Sequence, residues 1–346
     1  AYVLNLKKHE IYTVLAKVTV MATGGVGNIY HTTTNPSVAT GDGVAMVHRA
    51  KGVIENMEFI QFHPTSLYNP GERPSFLITE AMRGFGGLLR LQNGKEFMQK
   101  YHPMGSLAPR DVVARSIDHE LKISGEEFVY LDITHKDPKE VMSHFPNIYK
   151  KCLSIGIDLT KDMIPVVPAA HYCCGGIKVN LNGESSIRRL YALGEASSTG
   201  LHGGNRLASN SMMEAAVYAD AAARHAISVI DSIELQRDIP AWDYEGTAVP
   251  EEMALITQDY KEMQQIMTNY VGIVRSDVRL ERAKRRLEII FKETEELYLK
   301  STLSQHLCEL RNMIAVGYLI IKQAEARHES VGLHYSIDYP AKPVEI

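Results

Sequence analysis

The 346-residue sequence has few cysteines and lacks the common catalytic motifs. Its four cysteines follow neither a disulfide framework nor the C-x-x-C spacing of a zinc site, so no metal site is expected. There is no G-x-G-x-x-G turn, P-loop, H-E-x-x-H, G-x-S-x-G or EF-hand loop. No repeat of about 20 to 50 residues is visible, which excludes solenoids and propellers. These absences exclude the enzyme classes that carry those motifs, together with the solenoid and propeller folds.

The sequence also lacks an excess of charge and a long apolar run. Its 37 Lys and Arg against 41 Asp and Glu provide no basic field for nucleic acid or an anionic membrane. The longest apolar runs, residues 14–22 and 315–321, are shorter than the roughly 20 residues of a membrane span. No signal peptide is apparent. We expect a soluble protein of the reducing cytoplasm. The chain has no initiating Met and opens in mid-strand, which suggests missing upstream sequence.

Periodicity divides the chain into four zones of α/β and α+β character. Residues 1–61 predict a strand over 16–21 that ends in a glycine turn, then a helix over 41–51 and a short strand, a β-α-β order. Residues 62–171 predict an α+β region with a helix at 110–121 and a strand at 128–133. Residues 172–232 return to glycine-rich turns before an alanine-rich helix at about 211–230. Residues 245–330, after a linker at 238–250, have the apolar spacing of a three-helix bundle, most simply a scaffold.

Short polar segments carry histidine or arginine beside glycine or proline. They are QFHPT at 61–65, TEAMRG at 79–84, LAPRD at 107–111, HYCCGG at 171–176 and HGGNR at 202–206. Singly, each has an ordinary structural explanation. Together, three arginines and three histidines suit a small dianion, because each carboxylate taken out of water needs paired donors. The pattern favours a dicarboxylate site.

The start of the alanine-rich helix is a second candidate feature. Ser211 with Glu214 three residues later fits a capping box. The free N–H groups of such a helix start carry a partial positive charge of about half a unit. That charge suits a carboxylate, a phosphate or a reduced flavin ring. An ordinary capped helix explains the same residues equally well.

Longer strings in the sequence resemble a known enzyme family. They are MEFIQFHPT at 57–65, ITEAMRG at 78–84, LAPRDVVARSID at 107–118, PAAHYCCGGI at 168–177, LYALGEASSTGLHGGNRLASNSMMEA at 190–215 and NYVGIVRS at 269–276. In content, order and separation they resemble the flavoproteins of succinate dehydrogenase, fumarate reductase and L-aspartate oxidase. The forms TGLHGGNRLASNS and LHYSIDYP resemble the L-aspartate oxidase branch.

The resemblance implies a domain order and a reaction. It implies a partial Rossmann-like FAD-binding domain in residues 1–61 and 172–232, an α+β capping domain at 62–171 and a helical domain at 245–330. FAD would take hydride from Cα of L-aspartate at flavin N5, giving iminoaspartate, with oxygen or fumarate as acceptor. This is the first step of de novo NAD biosynthesis, and quinolinate synthase would use the product. The alternatives are a succinate dehydrogenase or fumarate reductase flavoprotein subunit, and a flavin-free, non-catalytic fragment.

The resemblance also implies roles for individual residues. The proton-transferring arginine would be Arg110, with Arg83 and Glu80 as relay or orienting residues. The dicarboxylate would be held by His63, Thr79, His171 and Arg206. The flavin would contact Thr23, Gly24, Gly25, Asp42, Glu195, Asn210, Ser211 and Met212. A guanidinium keeps its proton at neutral pH, so electrostatic and positioning roles are favoured for Arg110 unless Glu80 completes a relay.

The sequence departs from the family pattern at several points. The strand and G-x-G-x-x-G turn that grip the ADP half of FAD have no equivalent. Phe85 stands where glutamate is common, and Val331 stands where arginine is usual. The adjacent Cys173 and Cys174 are expected to be reduced thiols that pack in the interior.

Overall fold

The chain passes repeatedly between two structural units in the computed structural model, which describes residues 1–249 and 252–340. Unit 1 comprises residues 1–31 and 38–60 together with the described residues from Tyr172 onward. Unit 2 comprises residues 32–37 and 61–171. None of the described helices has the length and apolar character needed to cross a bilayer.

The described elements are short strands and longer helices. The strands are β1 (Tyr2–Asn5), β2 (Glu10–Thr13), β3 (Thr19–Met21), β4 (Ile54–Glu55), β5 (Ile60–Leu67), β6 (Leu88–Arg90), β7 (Val129–Asp132), β8 (Ile164–Cys173), β9 (Gly176–Lys178), β10 (Leu190–Ala192) and β11 (Ser197–Ser198). The helices are α1 (Asp42–Arg49), α2 (Glu80–Gly84), α3 (Arg110–Ser124), α4 (Pro138–His144), α5 (Pro146–Leu153), α6 (Asn210–Val229), α7 (Met253–Tyr270), α8 (Asp277–Lys300) and α9 (Gln305–Ala326).

The parallel pairing of β3 with β10 places two loops of unit 1 side by side. Both strands end at the same edge, where the Leu193 amide donates to the Met21 carbonyl at 3.0 Å. The loops that follow carry Gly25 and Glu195. A Cβ on Gly25 would overlap the Glu195 carboxylate, so a larger residue here would displace that side chain. The carboxyl edge of parallel strands is where ligands bind in α/β proteins.

The predicted order of strand, helix and short strand in the first zone is found as β3, α1 and β4. The strand predicted over 16–21 is confined to β3, and the helix predicted over 41–51 is confirmed as α1. The strand after it, β4, pairs antiparallel with β9 rather than joining the sheet of β3. The two strands therefore belong to different sheets, because β4 pairs with β9, which lies more than 100 residues further along the chain.

Unit 2 is built on a four-stranded sheet in the order β5-β8-β7-β6. The predicted helix at 110–121 is confirmed as α3, which ends at Gly125 in the left-handed conformation with φ 75°. The predicted strand at 128–133 is confirmed as β7. Fully buried apolar side chains such as Ile117 of α3 and Leu131 of β7 belong to one hydrophobic core.

Long helices form the C-terminal part of unit 1. α7, α8 and α9 contact one another pairwise. α8 is capped by the Ser276 hydroxyl and α9 by the Ser304 hydroxyl, each of which accepts a backbone N–H. A Cβ on Gly317 of α9 would lie 2.8 Å from the Met263 methyl carbon of α7, so glycine allows these helices their close approach. Of the predicted linker 238–250, residue 250 lies outside the described residues.

The fully buried Arg275 joins several segments of unit 1. Its Nη1 donates to the Glu58 carbonyl at 2.8 Å and to Nδ1 of His334 at 2.9 Å, and its Nε donates to the Gly272 carbonyl at 3.2 Å. Burial is the main cause that lowers the pKa of the guanidinium. The carbonyl and imidazole acceptors offset part of the cost of burying this charge.

The core of unit 2 can be tested on α3, which carries an isoleucine on each face. Ile117 is fully buried, whereas Ile123 is 67% exposed. We expect Ile117→Ala to lower the free energy of unfolding by about 2–5 kcal/mol, because it removes apolar contacts and leaves a cavity. Ile123→Ala should change it by about 0.5 kcal/mol or less. Urea denaturation followed by circular dichroism measures both, and equal losses would contradict the placement of α3.

Candidate active site

A carboxylate in unit 2 bridges two guanidinium groups. Glu80 lies in the first turn of α2, and its Oε1 is 3.2 Å from Nη2 of Arg83, one turn further along the helix. Its Oε2 accepts a short hydrogen bond from Nε of Arg110. Arg110 begins α3 directly after Pro109, so the two helix starts bring these charges together. A carboxylate shared by two arginines has the arrangement of a proton relay or of a rigid cationic clamp.

The two arginines have different environments. Arg83 is 1% exposed, and its Nη1 donates to the Ser106 carbonyl at 2.8 Å. Burial lowers the pKa of Arg83, the charge of Arg110 lowers it further, and Glu80 opposes the change. The side chain of Arg110 is 20% exposed, so it is the member of the pair with more access to solvent.

Two histidines of unit 2 meet edge to face. The ring centroids of His63 and His171 lie 5.5 Å apart at 66°. Nδ1 of His63 accepts the Thr65 amide at 3.3 Å, which places the proton of the neutral ring on Nε2. Burial, followed by the charges of His171 and Arg110, lowers the pKa of His63 to about 2. His63 is therefore a neutral hydrogen-bond donor at physiological pH.

Thr79 and Thr34 hold parts of this cluster in place. The Thr79 hydroxyl is the N-cap of α2 and accepts the Ala81 amide at 3.3 Å, so its own hydrogen can still be donated. Nδ1 of His171 lies 2.8 Å from the Thr34 hydroxyl. Unit 2 thus contains six of the predicted catalytic and substrate-binding residues, which are His63, Thr79, Glu80, Arg83, Arg110 and His171.

Phe85, where the family commonly has glutamate, lies in an aromatic cluster. Its ring centroid is 4.7 Å from that of His144 and 5.5 Å from that of Phe145. Nζ of Lys136 lies 5.7 Å from the centroid of the Phe85 ring. This position supplies packing rather than a carboxylate to the surroundings of α2.

Arg206 of unit 1 lies over an aromatic ring. The guanidinium carbon is 4.3 Å from the centroid of Tyr172, and both residues are buried. Nη1 of Arg206 makes long hydrogen bonds to the Leu207 carbonyl at 3.4 Å and the Ser211 hydroxyl at 3.5 Å. The cation therefore lies against a buried aromatic ring, where the exclusion of water strengthens the attraction between the two groups.

A buried network surrounds the Tyr172 hydroxyl. The hydroxyl lies 3.2 Å from Nε2 of His202 and 3.3 Å from Oε2 of Glu214, and these two atoms are 2.7 Å apart. Thr199 donates a short hydrogen bond to the other Glu214 oxygen. The capping-box prediction for Ser211 and Glu214 is wrong. The N-cap of α6 is Ser209, and the Glu214 carboxylate is engaged by Thr199, His202 and Tyr172.

Glu195 is a half-buried glutamate at the carboxyl edge of β3 and β10. Its Oε1 accepts the Cys173 amide at 2.9 Å. Burial is the main cause that raises the pKa of Glu195 to about 7, and the charge of Arg206 opposes the rise. The carboxyl group therefore exchanges its proton near neutral pH, which is unusual for glutamate.

The remaining residues predicted to contact the flavin belong to unit 1. The Thr23 hydroxyl is buried and has no hydrogen-bond partner among the described residues. A Cβ on Gly24 would meet open space. Asp42 accepts from Thr40 at 2.9 Å and from Asn312 of α9 at 2.8 Å, a structural tie between α1 and α9. The predicted residues of the first turn of α6 are Asn210, Ser211 and Met212, of which Met212 is 80% exposed.

The buried hydrogen-bond network of Tyr172, His202 and Glu214 was not predicted from the sequence. His202 was part of the polar segments but had no assigned partner, and Tyr172 was adjacent to a predicted site residue. The three lie 12 to 42 residues apart along the chain. No helical or strand period connects such positions. Cys173 and Cys174 are buried free thiols, and burial raises the pKa of each, in agreement with their predicted packing role.

Family models identify the class of protein. The FAD binding domain model matches residues 1–212, and the model described as fumarate reductase flavoprotein C-term matches residues 260–343. The chain belongs to the FAD-binding domain family of flavoproteins.

Individual relatives point to one branch of these flavoproteins. The chain is 48% identical over 340 residues to the L-aspartate oxidase of Pseudomonas aeruginosa, covering 98% of this chain and 63% of the relative. It is 46% identical over 345 residues to that of Vibrio cholerae, covering 100% and 64%. It is also 46% identical over 357 residues to L-aspartate oxidase 2-a, chloroplastic, of Nicotiana tabacum, covering 97% and 55%. The chain thus spans less than two thirds of the length of these relatives.

Solved structures give the same fold. A quinol-fumarate reductase with menaquinol molecules matches with a TM-score of 0.82 at 30% identity, covering 97% of this chain and 64% of that one. Mycobacterium smegmatis Sdh1 in complex with UQ1 matches with a TM-score of 0.78 at 33% identity, covering 94% and 57%. The mixed α/β architecture of flavoprotein subunits is therefore established for this chain.

The depressed pKa of His63 predicts a pH-dependent stability. Below about pH 6.5 the unfolded chain binds a proton at this histidine that the native state does not take up until about pH 2. Stability contributed by the neutral ring is therefore complete above pH 6.5 and is lost as the pH falls. Between pH 6 and 4 the free energy of unfolding should fall more steeply in the wild type than in His63→Gln, by up to about 1.4 kcal/mol per pH unit. Urea denaturation at each pH measures the difference, and parallel curves would contradict the prediction.

Proposed function

We propose that the chain is part of an FAD-dependent L-aspartate oxidase that converts L-aspartate to iminoaspartate. The observation that carries the proposal is the 48% identity over 340 residues to a curated L-aspartate oxidase. The charge of the clusters supports it, because L-aspartate is a dicarboxylate and both units carry buried arginine and histidine. When bound, FAD would accept the two electrons and the hydrogen of the Cα–H bond.

Two groups of side chains would bind the two carboxylates of L-aspartate. His63, as a neutral Nε2–H donor, and the Thr79 hydroxyl would hold one carboxylate. The other carboxylate is the one that the sequence resemblance assigns to Arg206 and His171, and a guanidinium such as that of Arg206 can bind a carboxylate through two N–H groups. Fixing both ends of a short substrate aligns its Cα, and orientation supplies a large share of the rate enhancement. The amine must be neutral for hydride to leave.

Arg110, Glu80 and Arg83 would manage charge and protons near the substrate. The salt bridges of Glu80 to both arginines support a relay in which Glu80 exchanges the proton and the guanidinium groups orient it. We favour this assignment because a guanidinium remains protonated at neutral pH. Arg110 then acts through its charge and its hydrogen bonds.

The residues of unit 1 fit a flavin at the carboxyl edge of β3 and β10. The buried Thr23 hydroxyl needs a polar partner, Gly24 and Gly25 allow close approach, and Glu195 is a half-buried carboxyl that can donate or accept. Asn210, Ser211 and Met212 at the start of α6 would face the ring, and Asp42 would position α1. We further propose the domain order 1–61, 62–171, 172–232 and 245–330, with α7, α8 and α9 as a three-helix bundle.

The biological setting follows from the same proposal. Oxygen or fumarate would reoxidise the flavin. The product would enter NAD biosynthesis in the cytoplasm, where quinolinate synthase would consume it. A second candidate, the flavoprotein subunit of a succinate dehydrogenase or fumarate reductase, is favoured by the TM-score of 0.82 to a quinol-fumarate reductase. A flavin-free fragment is the third candidate.

Activity assays on the purified protein distinguish these candidates. We expect hydrogen peroxide to form with L-aspartate and not with L-alanine, because only L-aspartate offers a second carboxylate. Dye reduction by succinate without peroxide from L-aspartate would favour the second candidate. A colourless protein that stays without flavin absorbance after added FAD would leave only the third.

Substitution of Arg206 tests the carboxylate site. Arg206→Ala should raise KM for L-aspartate by about two orders of magnitude, roughly 3 kcal/mol, because a buried carboxylate loses its bidentate partner. Arg206→Lys should recover only part of the affinity, since an ammonium lacks the planar fork. The exposed Arg188 of the same unit is the control, and Arg188→Ala should leave KM within about twofold. An unchanged KM in Arg206→Ala would remove Arg206 from the site.

A further inference from the structure

We propose that a cavity between α1, α8 and α9 is a binding site for an aromatic carboxylate, a ligand with a flat apolar body and one negative charge. The cavity lies entirely in unit 1, and none of the residues assigned to the flavin or to the dicarboxylate lines it. The inference is therefore independent of the proposed function.

The cavity has the size and the walls of a small-molecule site. Its volume is about 610 Å³, within the roughly 300–1,000 Å³ of ligand pockets, and its walls are mainly apolar. Leu287 and Phe291 line it from α8, and Ile314 and Tyr318 line it from α9. The members of each pair are one helical turn apart, so both helices present an apolar face. Phe291 is 47% exposed and Tyr318 is 40% exposed, so each ring offers surface to a planar ligand.

The charged residues of the lining leave an excess of positive charge at the end of α1. Five cations line the cavity together with two carboxylates, those of Glu288 and Glu295. Three of the cations form ion pairs, which are Lys284–Glu325, Lys292–Glu288 and Arg311–Glu295. The other two are Arg49 and Lys51, and neither has a carboxylate within ion-pair distance in the parts of the chain that the structure describes. An anion is the ligand that this end of the cavity would attract.

Arg49 is held on one side and lacks a partner on the other. It is the last residue of α1, and its Nη2 donates to Oδ1 of Asn312 at 2.7 Å. Its Nη1 is buried and has no hydrogen-bond partner among the described residues. A buried donor without an acceptor is costly. A carboxylate in the cavity would supply the acceptor to a guanidinium that Asn312 already restrains, which reduces the entropy lost on binding.

Neighbouring groups experience the same positive field. Burial is the main cause that lowers the pKa of Arg49, and the charge of Arg311 lowers it further. Burial, followed by the charges of Lys51 and two further cations, lowers the pKa of His48, which also lines the cavity. Both shifts show cations that repel one another at close range. A bound anion would relieve this repulsion, whereas a neutral or cationic ligand would not.

Three naphthalene derivatives test the charge preference of the cavity. They are 2-naphthoate, 2-naphthalenemethanol and 2-naphthylmethylammonium, which have similar shapes and carry a negative, no and a positive charge. Isothermal titration calorimetry on the purified protein measures their affinities. We expect 2-naphthoate to bind at least about tenfold more tightly than the alcohol, and the ammonium to bind most weakly. Equal affinities, or no binding of 2-naphthoate at about 1 mM, would overturn the proposal.

Substitutions test whether the ligand lies in this cavity. Arg49→Met removes the charge and should weaken 2-naphthoate about tenfold but the alcohol less than about twofold. Phe291→Ala should weaken both ligands about fivefold, because both lose the ring contact. The matched control is Arg285→Met on α8, where Arg285 is 71% exposed and does not line the cavity. It should change both affinities by less than about twofold. Unchanged affinity for 2-naphthoate in the Arg49 and Phe291 variants would place the ligand elsewhere and overturn the proposal.

A second charge variant covers the case in which Arg49→Met does not fold. That variant also loses the hydrogen bond to Asn312, whereas Lys51 is exposed and its side chain can be replaced with less disturbance. Lys51→Met should weaken 2-naphthoate about threefold and leave the alcohol unchanged. Circular dichroism checks that each variant is folded. Unchanged affinity for 2-naphthoate in folded Lys51→Met would contradict the proposal.

Discussion

The candidate site depends on neighbouring groups that compensate the positive charge of buried guanidinium groups. Arg83, Arg206 and Arg275 are each 6% exposed or less, and an uncompensated charge in that position would be costly. The compensation differs in each case. Arg83 has a carboxylate and carbonyls, Arg206 has an aromatic face, and Arg275 has carbonyls and a histidine. In each case neighbouring groups of the same unit replace part of the hydration that the buried charge has lost.

Local signals made the helices predictable. The predicted helix over 110–121 is α3, and its end at Ser124 follows from the left-handed Gly125. The spacing of Leu280, Ala283, Leu287 and Ile290 likewise marks the buried face of α8. Such predictions succeed because a helix is decided by neighbours three and four residues away. The pairing of β4 with β9 was missed because it depends on strand partners far along the chain.

The candidate site was predictable only where it is local or resembles a known family. Glu80 and Arg83 are one turn apart on α2, whereas the contact of Glu80 with Arg110 joins two helix starts 30 residues apart. The capping box failed for the same reason, because His202 and Thr199 take the carboxylate that local rules assign to the helix end. Shape and charge of the folded protein, rather than sequence spacing, decide which donor a buried carboxylate meets.

The hydrogen bond from the Cys173 amide to Glu195 depends on where the Cys173 backbone lies and not on which side chain it carries. A main-chain donor is present with every amino acid except proline. Exchange of Cys173 for a side chain of similar size would therefore leave this contact to Glu195 in place. This contact therefore constrains the backbone path of β8, while packing alone selects the side chain at position 173.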